Sequence, residues 1–592
     1  MGRAKPKNRV KSKKSEHRPV GASRAKWPAG EPASLPAAPV RSDRTAMLLL
    51  VVLFVAILVP FVGIAFHIDE PLFIWAAEHI RQQPANPYGF TVNWYGYDMP
   101  MSDVTKNPPL ASYYIAAVAA VIGWSEVALH LAFILPAIAV VLGSYLIAAR
   151  LCRHPVVAVL VGLLTPVFVV SSLTAMSDVI MLAFWLFAVH SWLKALETKR
   201  DGWFVLGALF IALAALSKYF GIMLIPMLLA YSIVRERRLR TWMLYLLIPV
   251  VVLAGYQLAT ARLYGRGLLS DAATYASGST HALGGLTLSK TLAAIAFTGG
   301  CLASVLFFSR RLWSWRALVP AVGFVTLVTL VAQAWVNVGS FSMPAADGPH
   351  WLLSAQIGVW AAVGVSLVAI ACVDLWRSRD ADSLLLFMWA GGTFIFAAFV
   401  NWSTNGRSIL PMVVPAGILV ARRLEAVAVR HDAFTIRSLT IPLGASALLS
   451  LLVLRADYLF AETSRAGAAL IRQKFASSGH TTWFEGHWGL QYYMQQLGAK
   501  PVERRSRFVP GDVIAIPTTN TNPVPMPHEW TDTSGVIDVR VSHWIATMNS
   551  SIGAGFYADV YGPLPFAVGS VPDERFTMLA VIPIRAGAQQ DH

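Results

Sequence analysis

The amino-acid sequence predicts an all-α polytopic membrane protein of about thirteen transmembrane helices, followed by a small C-terminal α/β extracytoplasmic domain. Three observations carry that prediction. Of 592 residues, 56% are hydrophobic and only 14% charged, with a mean hydropathy of +0.56, whereas a soluble domain carries about 25% charged residues. Apolar runs such as 47–66 and 292–308 recur along most of the chain, and at about 1.5 Å per helical residue they approach or span a hydrocarbon core about 30 Å thick. The runs are uniformly apolar rather than alternating, and lipid offers backbone amides no partner, so helices are favoured over a barrel.

The net charge of +16 does not point to nucleic acid, because the basic residues cluster in the first 44 positions and in short segments between apolar runs, the pattern that orients a membrane protein. Residues 1–45 carry Arg3, Lys5, Lys7, Arg9, Lys11, Lys13 and Lys14 ahead of a stretch rich in Pro and Ala, which reads as a disordered basic cytoplasmic tail. It is too long and too basic for a signal peptide. Residues 46–455 form the membrane core. Placing the basic clusters inside makes cytoplasmic turns of 150–154, 194–201, 235–240, 309–316, 376–382 and 422–437. Spans then begin near Met47, Glu126, Pro155, Val179, Trp203, Tyr219, Trp242, Lys290, Ala317, Trp351, Ser383, Ser408 and Ser438, the last ending near Leu454. An odd count puts the N-terminus in the cytoplasm and the C-terminus outside a cell (inner) membrane.

The first outer loop, 67–125, is long for a helical bundle, and long ordered loops are usually functional. Within it, 69–83 reads as an amphipathic surface helix, with Leu72, Ile74, Trp75 and Ile80 apolar and Glu78, His79 and Arg81 elsewhere. Residues 108–123 are apolar but short, and read as an interfacial or re-entrant helix. From 456 to 592 the composition turns polar, with strands expected at 481–484, 512–517, 535–541 and 578–584 and a helix at 490–497. Cys152, Cys301 and Cys372 lie in or beside apolar runs and read as buried small hydrophobes rather than a disulfide or thiolate set. Trp94, Tyr95 and Trp124 are expected at the lipid interface, and Gly284-Gly285 and Gly299-Gly300 as flexible or close-packing positions.

Ionisable residues stand at the outer ends of these spans: Asp69 and Glu70 after the first, Lys106 before an Asn-Pro-Pro turn, then Asp178, Lys218 and Arg407. Such groups near a bilayer are functional candidates, and acids with cations facing one compartment suit an anionic lipid-linked substrate. Structural readings stand beside each. Asp69 precedes Pro71 and can cap a helix, Glu70 can be a first-turn acid favoured by the helix dipole, Asp178 can cap its span, and the lysines can snorkel.

The arrangement Asp69-Glu70, Lys106-Asn107-Pro108-Pro109-Leu110, Ser177-Asp178, Ser217-Lys218-Tyr219-Phe220-Gly221 and Asn405-Gly406-Arg407 with Leu410-Pro411 resembles the protein O-mannosyltransferase and aminoarabinose lipid A transferase superfamily, glycosyltransferases of the GT-C membrane fold. Ser408 stands where that family usually has an aromatic. The segment Trp483-Phe484-Glu485-Gly486-His487-Trp488-Gly489-Leu490-Gln491-Tyr492-Tyr493 resembles an outer domain that follows such cores in bacterial members. The resemblance implies an enzyme that moves a sugar from a polyprenyl-phosphate donor to a glycan, lipid or protein acceptor, with Asp69 as base in an inverting displacement. Lys106, Lys218 and Arg407 would neutralise the departing phosphate, Glu70 would support Asp69, and Asp178 would orient the acceptor or share with Asp69 a divalent ion such as Mg2+ or Mn2+. The family has metal-dependent and metal-independent members, so the ion stays open. The competing class is a transporter or flippase, opposed by the lack of an internal repeat and by charges at outer ends rather than mid-membrane.

Overall fold

The structure, a computed structural model, describes residues 1–2, 43–282, 288–335, 350–428, 436–475, 479–521 and 526–583. The expected tail falls almost wholly outside the described residues, as does Gly284-Gly285. Among the described residues, nine helices are long and apolar enough to cross a membrane, and a tenth crossing results if Leu288–Cys301 and Ala303–Leu312, bent by 75°, are counted together.

The difference from thirteen lies in runs that composition reads as continuous and the backbone breaks. The run from Pro155 divides into Pro155–Leu163 and Pro166–Ser171, because the residue before a proline is driven out of helical geometry, here Thr165 at φ −113° and ψ 146°. The run from Ser408 divides into Gly406–Ile409 and Val413–Ala428. Asp201–Ser217, at 17 residues, reaches about 25 Å.

The six basic turns gather at one end of the bundle, tied by pairs between helices. Arg150 meets Glu197, Lys199 meets Glu236 at 2.6 Å, and Arg235 meets Asp382 at 3.7 Å. Arg422 meets Asp374 at 2.7 Å, His154 meets Glu425 at 3.0 Å, and Arg423 donates to Leu312 O at 3.1 Å. Helices that start or stop at these turns therefore carry their other ends to the opposite face. Ser177–Thr198 runs from Asp178 to one basic turn, and Asp201–Ser217 returns to Lys218.

At that opposite face, the helix Glu70–Gln82 buries Leu72, Ile74 and Ile80 and packs on Leu110–Ile122. The latter has 13 residues, about 20 Å of helix, short of the bilayer core. Gly299 is a close-packing position, since a Cβ there would lie 1.9 Å from Trp360 O on the helix Trp351–Ser378. Cys372 corrects the expectation for the cysteines: it is exposed on that same helix, while Cys152 and Cys301 are buried.

The last long helix, Thr440–Phe475, continues without a break well past Leu454, so the membrane core and the polar region share one rod. Beyond it lies a five-stranded sheet in the order Lys500–Pro501, Thr482–Phe484, Val513–Pro517, Glu574–Val581, Thr531–Val539. The first three strands are parallel, with Trp488–Gln496 as the crossover helix, and the last two join antiparallel. The strand expected at 578–584 starts earlier, at Glu574, because the inward side chains Phe576 and Met578 alternate with polar neighbours; the expected 535–541 becomes Thr531–Val539. Trp94 is also corrected: only 6% exposed, it stacks on His487 at 5.4 Å, so it belongs to the contact between the first outer loop and the C-terminal region.

Candidate functional site

The site begins with a turn. Ile68, between His67 and Asp69, has φ +51°, a conformation strained for a β-branched residue and of the kind concentrated at functional positions. It lets the chain aim His67 and Glu70 into the protein while Asp69 stays 30% exposed. Asp69 sits at the N-cap position of Glu70–Gln82 but its side chain makes no capping bond. The carboxylate is instead taken by Arg407, whose Nη2 donates to Asp69 Oδ2 at 2.9 Å.

Arg407 lies on the short turn Gly406–Ile409, which Asn405 caps by accepting from Ser408 N at 2.9 Å. Ser408, where an aromatic was the family habit, is buried and accepts from Asn401 Nδ2 at 2.9 Å. Burial opposes the Arg407 charge, and the carboxylates of Asp69 and then Asp178 outweigh it, so the guanidinium is held above its ordinary value. Asp178 is 2% exposed and receives Lys218 Nζ at 2.5 Å. Asp69, Arg407, Asp178 and Lys218 thus form one group of alternating charge. Arg407 Nε is buried without a hydrogen-bond partner, and the Lys218 ammonium has donors beyond the one given to Asp178.

Lys106 is engaged elsewhere. Its Nζ pairs with Asp271 at 2.7 Å and lies 5.4 Å from the Tyr275 ring, while Arg266 joins Asp271 at 3.5 Å and Asp103. This second cluster ties the first outer loop to the helix Leu268–Ala282.

Behind the turn lies a network that sequence reasoning missed except for Glu70. His67 presents Nδ1 to Glu70 Oε2 at 3.0 Å and Nε2 to Asp457 Oδ2 at 3.2 Å and Tyr557 Oη at 2.9 Å. Glu70 Oε1 receives Ala175 N at 2.5 Å and faces His130 Nε2 at 3.3 Å. Asp457 accepts from Thr547 Oγ1 at 2.7 Å and from Tyr557 Oη at 2.9 Å. With an acidic oxygen at each ring nitrogen, His67 donates twice and is an imidazolium. Burial works against that charge, but Asp457 and then Glu70 overcome it and raise His67 to about 10. Burial likewise opposes the Glu70 carboxylate, and His67 with His130 lowers it to about 2. Asp457 and His130, ionisable side chains inside apolar runs, had a signal in the sequence; Tyr557 had none.

Asp69 and Asp178 are each already matched by a cation, and among the described residues no group of three or more His, Cys, Asp or Glu side chains is arranged to hold a metal ion. The described residues thus hold no all-protein cage for Mg2+ or Mn2+; an ion shared with a donor phosphate would need only one or two carboxylates, and Asp69 and Asp178 are the ones that would supply them.

No curated protein sequence matches the chain. Among solved structures, it is similar to an oligosaccharyltransferase of Archaeoglobus fulgidus, determined with an inhibitory peptide and a dolichol-phosphate, at 12% identity over 78% of this chain and 64% of that one, TM-score 0.45. The same archaeal enzyme in complex with Zn and sulfate gives 13% identity over 78% and 62%, TM-score 0.45, so the chain spans less than two thirds of that enzyme. ArnT from Cupriavidus metallidurans bound to undecaprenyl phosphate gives 14% identity over 80% and 92%, TM-score 0.39. Residues 106–258 match the family described as dolichyl-phosphate-mannose-protein mannosyltransferase. The resemblance to that transferase superfamily, read from the outer-end motifs, agrees with this family match over residues 106–258.

Proposed function

We propose that the protein transfers a sugar from a polyprenyl-phosphate donor to an acceptor hydroxyl at the outer face of a cell membrane, the inner membrane where there are two. The observation that carries this reading is the Asp69–Arg407 pair at 2.9 Å, at the end of the bundle opposite the basic turns, with Asp178 and Lys218 beside it. The family match over residues 106–258 supports the same class.

In the proposed step the Asp69 carboxylate takes the acceptor proton while the acceptor oxygen attacks the anomeric carbon. The bond from that carbon to the phosphate oxygen breaks, its electron pair leaves with the polyprenyl phosphate, and the single displacement inverts the anomeric centre. Arg407 and Lys218 meet the negative charge as it develops, Arg407 through guanidinium donors beyond the one given to Asp69 and Lys218 through its remaining donors. Asp178 holds Lys218 in place. Glu70, which never reaches the substrate side, fixes the turn that presents Asp69. Lys106, committed to Asp271, contributes by anchoring the first outer loop. The acceptor is a glycan, a lipid or a protein, and the sugar a hexose or pentose.

Purified protein mixed with polyprenyl-phosphate sugars tests the reading. Wild type cleaves or transfers the sugar, and Asp69→Asn, folded and inserted, loses at least about a hundredfold of that rate. Full turnover by Asp69→Asn removes the base assignment; movement of the lipid across vesicles without bond cleavage replaces the enzyme with a flippase.

A further inference from the structure

The C-terminal region reaches into the site. The segment that carries Arg407 is held from outside the membrane core by two backbone bonds: Gly406 N donates to Phe556 O at 2.7 Å, and Asp559 N donates to Thr404 O at 2.9 Å. The approach is close enough that a Cβ on Gly406 would come within 2.7 Å of the Phe556 ring, so a side chain there would force the two segments apart. Between these bonds comes Tyr557, 2% exposed. Its ring centroid lies 5.7 Å from the Arg407 guanidinium carbon, within the range at which an aromatic face attracts a cation. Its hydroxyl donates to Asp457 Oδ2 at 2.9 Å and stands 2.9 Å from His67 Nε2, which fixes the ring at its far end.

Arg407 is thereby bounded by three different neighbours: the Asp69 carboxylate at 2.9 Å, Met176 Sδ at 2.9 Å and the Tyr557 ring. A long side chain has many rotamers, and without the ring the guanidinium keeps only the Asp69 bond and the weak thioether contact of Met176 to set its orientation. The ring contributes no hydrogen bond to Arg407, so it occupies none of the guanidinium's donors while restricting the orientation of the group.

We propose that Tyr557 is a positioning residue, one that holds the Arg407 guanidinium in the orientation that receives the departing phosphate, so that the C-terminal region completes the transfer site. This rests on the transferase reading above. The polar hydroxyl and the aromatic face do separable work. Phenylalanine keeps the face and loses the anchor, whereas leucine loses both.

The test is a double-mutant cycle with kinetics, beside an exchange measurement that needs no substrate. Tyr557→Leu lowers kcat by about ten- to thirtyfold with the acceptor KM held within about twofold, the size expected of a desolvated cation–π contact, and Tyr557→Phe recovers most of the loss. In an Arg407→Ala background the Tyr557 changes cost nothing further. A loss that multiplies undiminished on top of Arg407→Ala, or a Tyr557→Leu enzyme as fast as wild type, overturns the proposal. If Tyr557→Leu does not fold, the same cycle run with Tyr557→Met, which also removes the aromatic face, decides it by the same criterion. Hydrogen–deuterium exchange of the peptide 401–410 accelerates in Tyr557→Leu, and unchanged exchange overturns the proposal. Should wild type transfer no sugar, the transferase reading fails, and the exchange result still reports whether Tyr557 orders the Arg407 segment.

Discussion

The two ends of the bundle use the same kinds of side chain in opposite ways. At the end of the basic turns most pairs are open to solvent on at least one side: Lys199 is 54% exposed against Glu236, and Arg235 36% against Asp382, with Arg422–Asp374, 12% and 13% exposed, as the exception. At the other end His67, Glu70 and Asp457 are at most 1% exposed, and both carboxylates accept from several donors. Residue type therefore says little about role, and burial says much. An exposed pair contributes about 0–1 kcal/mol, and its collective effect here is to gather turns. A buried cluster returns little net stability for the desolvation it costs, but removing one partner strands a charge and loses about 3–5 kcal/mol. What the buried end obtains is geometry: the strained turn at Ile68 has His67 and Glu70 tied down on either side of Asp69.

The hardest blow to that contrast is Glu70→Ala. It strands the His67 imidazolium beside Asp457 alone and leaves Ala175 N without its acceptor, so a loss of about 3–5 kcal/mol is expected, read as a large fall in the thermal midpoint of the detergent-solubilised protein. A midpoint no lower than that of an Arg150→Ala protein would erase the difference between the ends. Next comes Asp178→Ala. Lys218 is 18% exposed and can find water, so stability falls less, while transfer drops about ten- to a hundredfold as the ammonium loses its position. Unchanged kcat would take Lys218 out of the charge-neutralising set.

Acidity and alkalinity sharpen the comparison because the two signs run apart. His67 is raised from 6.5 to about 10, so its contribution is complete below pH 6.5 and is lost as pH climbs through 10. Glu70 is lowered from 4.5 to about 2, so its contribution is complete above pH 4.5 and is lost as pH falls through 2. The buried network is therefore at full strength between about pH 4.5 and 6.5, and the thermal midpoint declines on both flanks. His67→Gln should flatten the alkaline flank; an unaltered slope in that variant would assign the decline to other groups.

How much of this was legible follows from how far apart in sequence the partners lie. Basic turns are local clusters, so the gathering of six of them at one end was readable from positions such as Arg150, Lys199 and Arg422. Asp69, Asp178, Lys218 and Arg407 stood out because a charge in an apolar chain is conspicuous wherever it falls. Which of them touch was not readable: Arg407 and Asp69 are 338 residues apart, and Lys106 and Asp271 165. The pairing of His67 with Asp457 and Tyr557, across 390 and 490 residues, leaves no pattern in one sequence. Nor do breaks within apolar runs, because hydropathy averages over Thr165 and Pro166 while backbone geometry does not.

The smallest effect is the most exacting check. Arg150 meets Glu197 at the basic end, with Glu197 39% exposed. Removing the guanidinium by Arg150→Ala leaves Glu197 in water rather than in a low-dielectric interior, so the stability change stays within about 1 kcal/mol and shrinks further in high salt, where exposed charges are screened over about 3 Å at 1 M. Transfer should be unaffected, since the pair lies at the far end of the helix Ser177–Thr198 from Asp178. A drop in kcat without a change in stability would mean that this helix transmits displacement along its length, and that the ends of the bundle are mechanically coupled rather than independent.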